Sequence, residues 1–228
     1  MAETEETAVV SGEGASPRVL LVDDHDLFRT GLRNLLEEQG VQIVGEAGTG
    51  TEAIRYVREL APDVVVMDLN MPGISGVEAT RQITSIAPLT RIVVLTISDQ
   101  DSDVMDAILA GACGYLLKDS SIQDLIRGIN SAAIGESLIS PHIAGKVLQR
   151  VRAATPSQVD ADMIRSELSD REIEVLKLIA NGKDNALIAA ELHISPKTVK
   201  NHISNILMKL QIDNRIQAAV YAVRSGIV

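Results

Sequence analysis

The sequence predicts two domains of different class: a doubly wound α/β domain built on a five-stranded parallel sheet, followed by an all-α domain of four helices. Three observations predict this. Short aliphatic runs alternate with helical patterns from residue 18 to about 135. Most of those runs stop at a polar residue. From residue 167 onward the pattern is helical throughout, with cap signals between segments.

The first run is residues 18–22 (RVLLV), ending at Asp23 and Asp24. Residues 64–67 (VVVM) end at Asp68, 92–95 (IVVL) at Thr96, and 114–117 (GYLL) at Lys118. A weaker strand is expected at Gln42 to Glu46. Continuous apolar runs, rather than alternating ones, suit a parallel sheet buried on both faces. Between them, Phe28, Leu32, Leu35 and Leu36 follow helical spacing, as do Ala53, Ile54, Val57 and Leu60. Further helices fall near 76–86, 101–110 and 122–134. Five βα units make a doubly wound domain.

Residues 137–166 begin with helical spacing at Ile143, Val147 and Val151, then turn polar at Thr155, Pro156 and Ser157. This predicts a helix and a flexible linker. Ser169 with Glu172 forms a capping box for the next helix, and Gly182 stops it. Asp184 caps a short helix to Leu192. Ser195 followed by Pro196 starts a third, to about Leu210. Asn214 with Gln217 caps a fourth, to Ser225. The expected organisation is a disordered acidic tail (1–16), the α/β domain (17–136), the linker (137–166) and the helical domain (167–228).

Composition narrows the function. The cores must be aliphatic, because aromatics make up 2% of the chain and Trp is absent. No apolar run approaches the roughly 18 residues of a membrane span, and the N-terminus lacks the basic start and apolar run of a secretory signal. A single cysteine, Cys113, forms no internal disulfide. A cytoplasmic location follows as the expectation. The net charge of -10 hides an asymmetry. Residues 165–228 carry nine Lys/Arg against seven Asp/Glu, or +2, leaving -12 for the rest. Between Glu191 and Asp213 there is no acid, and Lys197, Lys200 and Lys209 fall there. A local basic surface matters more for phosphate contact than the global sum.

Ligands of doubly wound domains bind at the carboxyl ends of the strands. Asp23, Asp24, Asp68, Thr96 and Lys118 all stand there. Three converging carboxylates repel one another, and a hard divalent cation such as Mg²⁺ relieves this. One carboxylate can then attack a phosphoryl donor while the metal and a lysine neutralise the developing charge. An Asp after a strand is often only a helix cap. Four polar strand ends together outweigh that alternative for Asp68, whereas Asp26 reads as the cap of the first helix.

The segments VDDHDLFRTGL, MDLNMPGISG, VVLT and GYLLKD, in this order, resemble the receiver domain of two-component response regulators over residues 18–135. The resemblance implies that Asp68 is the phosphoacceptor. It implies Mg²⁺ on Asp24, Asp68 and the Asn70 carbonyl, with Asp23 acting through water. Thr96 and Tyr115 would be the switch pair, Thr96 moving toward the phosphoryl group and Tyr115 rotating inward behind it. Gly73 and Gly76 fit the turn after Asp68. Two positions depart from the family pattern: Asp119 replaces a common proline, and Ile97 replaces a small residue. A branched side chain at Ile97 should shield the phosphoryl group and slow its hydrolysis.

The third C-terminal helix separates into faces. Val199, Ile203, Ile206, Leu207 and Leu210 form the buried stripe. Lys197, Asn201, Ser204 and Met208 lie opposite, beside Lys200. Lys can read guanine or phosphate, and Asn can read adenine. Thr198 is placed to reach a phosphate. A helix, a short turn and a second helix is the arrangement that enters a major groove. Residues 167–228 resemble the LuxR-type helix-turn-helix, with SPKTVKNHISNIL the most specific piece. With the receiver ahead of it, the chain resembles the NarL/FixJ subfamily. That implies base reading by Lys197, Lys200 and Asn201; with Thr198, Ser204 and Lys209 they make up the expected DNA-binding set. The implied partners are a sensor histidine kinase, double-stranded promoter DNA and a second copy of the chain when active. Ala186 and Leu187 replace a common Lys-Glu pair, and Gln211 stands where a helix-ending Gly or Asn is usual.

The expected function is a non-enzymatic, phosphorylation-gated transcription regulator. A constitutive DNA-binding protein with a silent receiver fits part of the pattern. So does a Mg²⁺-dependent phosphohydrolase using Asp68 as nucleophile. The latter would want a second acid two residues on, where Asn70 stands.

Overall fold

The structure, a computed structural model, describes residues 16–139, 143, 146, 147 and 167–227. Five strands of the first domain run β1 (Arg18–Val22), β2 (Gln42–Ala47), β3 (Val64–Met67), β4 (Arg91–Thr96) and β5 (Gly114–Leu117). Its helices are α1 (Asp26–Glu38), α2 (Gly50–Leu60), α3 (Gly76–Ile86), α4 (Asp101–Leu109) and α5 (Ile122–Ala133). All strand pairs are parallel.

A sixth strand, β6 (Leu138–Ile139), pairs with Gly114 and Tyr115 of β5, giving the order β2-β1-β3-β4-β5-β6. This corrects the five-stranded expectation. Two residues carry no readable period, and what stabilises them is the unpaired backbone at the free edge of β5.

Both sheet faces are covered, as the continuous apolar strands require. Leu36 of α1 with Leu125 and Ile129 of α5 packs on Val19, Val66 and Val93. Ala53 and Val57 of α2 and Ile83 of α3 pack on Leu20, Val65 and Met67. Thr49, Ser75 and Ser121 cap α2, α3 and α5 by accepting from the N–H three residues on. Asp26 does not cap α1. His25 holds that position without a side-chain hydrogen bond, and Asp26 begins the helix and pairs with Arg29 at 2.6 Å.

The second domain is α6 (Asp170–Ala180), α7 (Asn185–Leu192), α8 (Pro196–Leu210) and α9 (Arg215–Arg224). Ser169 and Glu172 form the expected capping box. Gly182 ends α6 at φ +76, and Gln211 ends α8 in the left-handed region at φ 53. His193 ends α7 the same way. Val199, Ile203, Ile206 and Leu210 of α8 join Val175, Leu176, Ile188 and Ala218 in one core. Each fully buried aliphatic chain of this size contributes about 1.5–3 kcal/mol.

The two faces of α9 divide between the domains. Ala218 and Ala222 pack within the helical domain. Ile216 and Val220 pack on Val104, Ile108 and Tyr115 of the α/β domain, together with Ile143 and Val147. Ile143, Lys146 and Val147 are helical, where the helical spacing begins. Residues 137–139 at the start of the linker are also described and include β6; the rest of the linker, including Val151 and 155–166, and the tail apart from Ser16 lie outside the described residues.

Candidate functional site

β1, β3, β4 and β5 end side by side, and their polar ends meet. Lys118, just past β5, places Nζ 2.6 Å from Asp23 Oδ2 and 2.7 Å from Asp68 Oδ2. It also stands 4.6 Å from the Phe28 ring centroid, a cation–π contact. Burial acts to lower its pKa, but hydrogen bonds and charge from Asp23 and Asp68 outweigh that, and the net shift is upward. The ammonium therefore stays charged between two carboxylates.

Asp68 is 2% exposed, and its Oδ1 accepts from the Leu69 N–H at 2.7 Å and the Asn70 N–H at 3.4 Å. The turn that follows is shaped by glycine. A Cβ on Gly76 would stand 1.9 Å from the Asp68 carbonyl oxygen. Gly73 has open space around it but φ +80, so its requirement is conformational.

Asp23, Asp24, His25 and Asp68 each bring one ligand atom within 4.8 Å of the others. The donor set suits a hard cation. Asp24 Oδ1 is buried and receives no directed hydrogen bond, although His25 Nδ1 lies 2.9 Å away. An oxygen in that condition favours a cation. His25 was missed in the sequence, where only its adjacency to Asp23 and Asp24 could have signalled it. Its backbone N–H donates to Asp23 Oδ1 at 2.8 Å.

Thr96 is fully buried, and its Oγ1 accepts from the Ser98 N–H at 3.4 Å. Tyr115 is already inside: its ring is fully buried and its hydroxyl donates to the Ser98 carbonyl at 2.9 Å. Burial first, then the charges of Asp103, Asp99 and Asp68, hold its phenol pKa well above the usual range.

On α8, Ser195 caps the helix through the Thr198 N–H at 3.1 Å, and its hydroxyl meets that of Thr198 at 2.8 Å. Lys197, Lys200, Asn201, Ser204 and Met208 are exposed as expected. Lys209 is half-buried and engaged elsewhere. Its Nζ lies 2.8 Å from Oε2 of the buried Glu172, so its charge serves the fold.

Lys200 and Ser204 face the α/β domain. They line a cavity of about 180 Å³ with Arg91, Ile134, Gly135 and Glu136, and Lys200 Nζ lies 3.7 Å from Glu136 Oε1.

Residues 19–130 match the family described as response regulator receiver domain, and residues 166–222 match bacterial regulatory proteins, luxR family. The chain is 45% identical to transcriptional regulatory protein LiaR of Bacillus subtilis (strain 168), over 92% of this chain and 99% of that one. It resembles the crystal structure of a LuxR-family two-component response regulator from Aurantimonas sp. SI85-9A1, with 39% identity and a TM-score of 0.57 over 60% of this chain and 98% of that one. The structure of response regulator ChrA of a heme-sensing two-component system is similar across 93% of this chain and 99% of that one, at 34% identity and a TM-score of 0.51. Among the described residues no helix is long and apolar enough to cross a membrane.

Proposed function

The chain belongs to the two-component response regulators that join a receiver domain to a LuxR-type DNA-binding domain, and we propose that phosphorylation of Asp68 by a sensor histidine kinase controls its binding to promoter DNA. The observation that carries this is Lys118 held between Asp23 and Asp68 beside the buried Thr96.

A carboxylate oxygen of Asp68 attacks the phosphorus of a phosphohistidine. The new P–O bond forms as the P–N bond breaks, and the departing imidazole takes a proton from solvent. Lys118, already 2.7 Å from Asp68, balances the charge on the phosphoryl oxygens. Asp24, Asp68 and the Asn70 carbonyl, with Asp23 through water, would hold Mg²⁺, which when bound supplies further charge neutralisation there. The Thr96 hydroxyl then turns to a phosphoryl oxygen and gives up the Ser98 N–H.

DNA recognition falls to Lys197, Thr198, Lys200, Asn201 and Ser204. With the domains packed, Glu136 would stand among the DNA phosphates wherever Lys200 met them. Binding therefore requires the domains to part, which is the step phosphorylation drives. Parting also uncovers Ile216 and Val220 of α9, an apolar face available to a second copy of the chain in the active dimer. A cytoplasmic location fits these partners.

The test is intact mass after incubation with Mg²⁺ and a small phosphodonor. One phosphoryl group on wild type, and none on Asp68→Asn, is expected. No uptake by wild type would leave a silent receiver and constitutive DNA binding.

A further inference from the structure

The C-terminal end of α4 is capped from the other domain. The last carbonyls of a helix lack the i+4 N–H of its interior; that of Ile108 accepts from the Gly111 N–H at 3.0 Å, and the other domain adds a second donor to it. Gln217 Nε2 donates to the Ile108 carbonyl at 2.9 Å and more weakly to that of Leu109 at 3.4 Å. Asn214 Nδ2 donates to the Ala112 carbonyl, just beyond the helix, at 3.0 Å. Asn214 and Gln217 are 4% and 8% exposed.

The same two amides build the start of α9. Asn214 Oδ1 accepts from the N–H groups of Ile216 at 3.0 Å and Gln217 at 2.9 Å. Gln217 Oε1 accepts from the Asp213 N–H at 2.8 Å. Each side chain is therefore divided. Its oxygen holds its own domain and its nitrogen holds the receiver, with the Gln217 nitrogen also reaching Asp213 Oδ2 of its own domain at a long 3.5 Å. A carboxylate of the same shape could do the first task and not the second.

The other end of α4 is joined to the phosphorylation pocket. Thr96 accepts from the Ser98 N–H, and Tyr115 donates to the Ser98 carbonyl. The Ser98 hydroxyl bonds to Asp103 in the first turn of α4. When Thr96 turns to a phosphoryl oxygen, this connection moves the start of α4, and a rigid helix carries the motion to its end.

We propose that Asn214 and Gln217 form a latch through which the DNA-binding domain reads the position of α4. The inference rests on the phosphorylation gating argued above and names the residues that execute it. A shift of α4 by roughly 1 Å takes both bonds beyond hydrogen-bond range. The seam then retains its apolar contacts and the polar contacts of Glu136 with Lys200 and Asn185.

The test is the full-length double variant Asn214→Asp with Gln217→Glu. Asp is as good an N-cap as Asn, and Glu keeps the acceptor for Asp213. Neither can donate, and two buried carboxylates would face carbonyl oxygens without a proton between them. Separation rehydrates them. Small-angle scattering should show a larger radius of gyration for the unphosphorylated variant. Its affinity for a duplex, selected from a randomised pool by the phosphorylated wild-type chain, should rise by about 5- to 150-fold, the usual span of allosteric coupling. Added negative charge opposes DNA binding, so a gain is not a charge effect. Circular dichroism and the duplex affinity of the phosphorylated variant check folding. Gln217→Glu alone, a milder change, should give a partial gain if the double variant does not fold.

A variant that stays compact and phosphorylation-dependent overturns the latch. So does one that opens without gaining DNA affinity. If wild type binds the duplex equally with and without a phosphoryl group, the gating itself has failed, and the scattering comparison alone decides whether these residues hold the seam.

Discussion

Lys209 Nζ rests 2.8 Å from Glu172 Oε2 and ties the end of α8 to the start of α6. Glu172 is 4% exposed and also accepts from the Ser169 N–H and hydroxyl. Burial acts to raise its pKa, but the bonds from Lys209 and Ser169 outweigh it, and the carboxyl is held below its usual range. A lysine so placed supports the fold.

Lys209→Met should therefore cost about 1–3 kcal/mol of stability and leave DNA binding by the active protein with its salt dependence intact. Lys197→Met should do the reverse. Its stability should stay within about 0.5 kcal/mol, while the slope of log affinity against log salt falls by about 1. Because the folded pKa of Glu172 is depressed, its contribution is full above the unfolded value near 4.5 and is lost as pH falls through the folded value. The Lys209→Met deficit should shrink accordingly in acid. Urea unfolding across pH and duplex titrations across salt measure all three.

Gly76 and Asp68 give a second contrast. An alanine methyl at 76 would meet the Asp68 carbonyl oxygen at 1.9 Å and the Leu69 Cα at 2.7 Å, both backbone atoms that cannot swing aside. Gly76→Ala should cost about 1–3 kcal/mol and slow phosphoryl uptake, because relief displaces Asp68. Gly73→Asn should cost under about 1 kcal/mol, since asparagine tolerates φ +80 and nothing lies within 4 Å of the new carbon. Denaturant midpoints and intact-mass time courses separate the two. Equal effects would contradict this account of the turn.

The legible residues share one property: their positions follow from local order along the chain. Asp68, Thr96 and Lys118 each end an aliphatic run, and parallel strands bring such ends together without further information. Ser169, Asp184, Ser195 and Asn214 were readable as caps because a cap and its helix are neighbours. What escaped depends on distant partners. β6 exists because β5 offers it an edge. Lys209 reaches a glutamate 37 residues away, and its place on the helical wheel says nothing of that. Asn214 was legible as a cap through its oxygen, while its nitrogen meets Ala112, 102 residues earlier.

The acidic pocket carries a metal prediction independent of phosphorylation. Asp23, Asp24 and Asp68 converge with a single lysine to balance them, and Asp24 Oδ1 is buried without a directed donor. Mg²⁺ should raise the melting temperature of the receiver transition, by an amount equivalent to about 2.7 kcal/mol at one hundred times its dissociation constant. Asp24→Asn should remove most of that shift and still melt cooperatively. Calorimetry with and without Mg²⁺ is the measurement. An undiminished shift in Asp24→Asn would place the ion elsewhere.

Ile97 follows the fully buried Thr96 and is itself 75% exposed. Its side chain stands largely in solvent, and protection of a phosphoryl group is expected when Thr96 moves and brings Ile97 with it. The branched chain would then lie between the acyl phosphate and bulk water and hinder the in-line approach of a hydrolytic water. Ile97→Ala should shorten the phosphoryl half-life several-fold, roughly 1 kcal/mol in the hydrolysis barrier. An exposed side chain contributes little to the fold, so stability should change by less than about 0.5 kcal/mol. The loading rate from a small phosphodonor should match or exceed that of wild type, since the same bulk hinders entry. Loss of the phosphoryl group is followed by intact mass after the donor is removed, with Mg²⁺ held constant. An unchanged half-life would mean that Ile97 stays turned to solvent after phosphorylation and that water reaches Asp68 by a path this side chain does not cross.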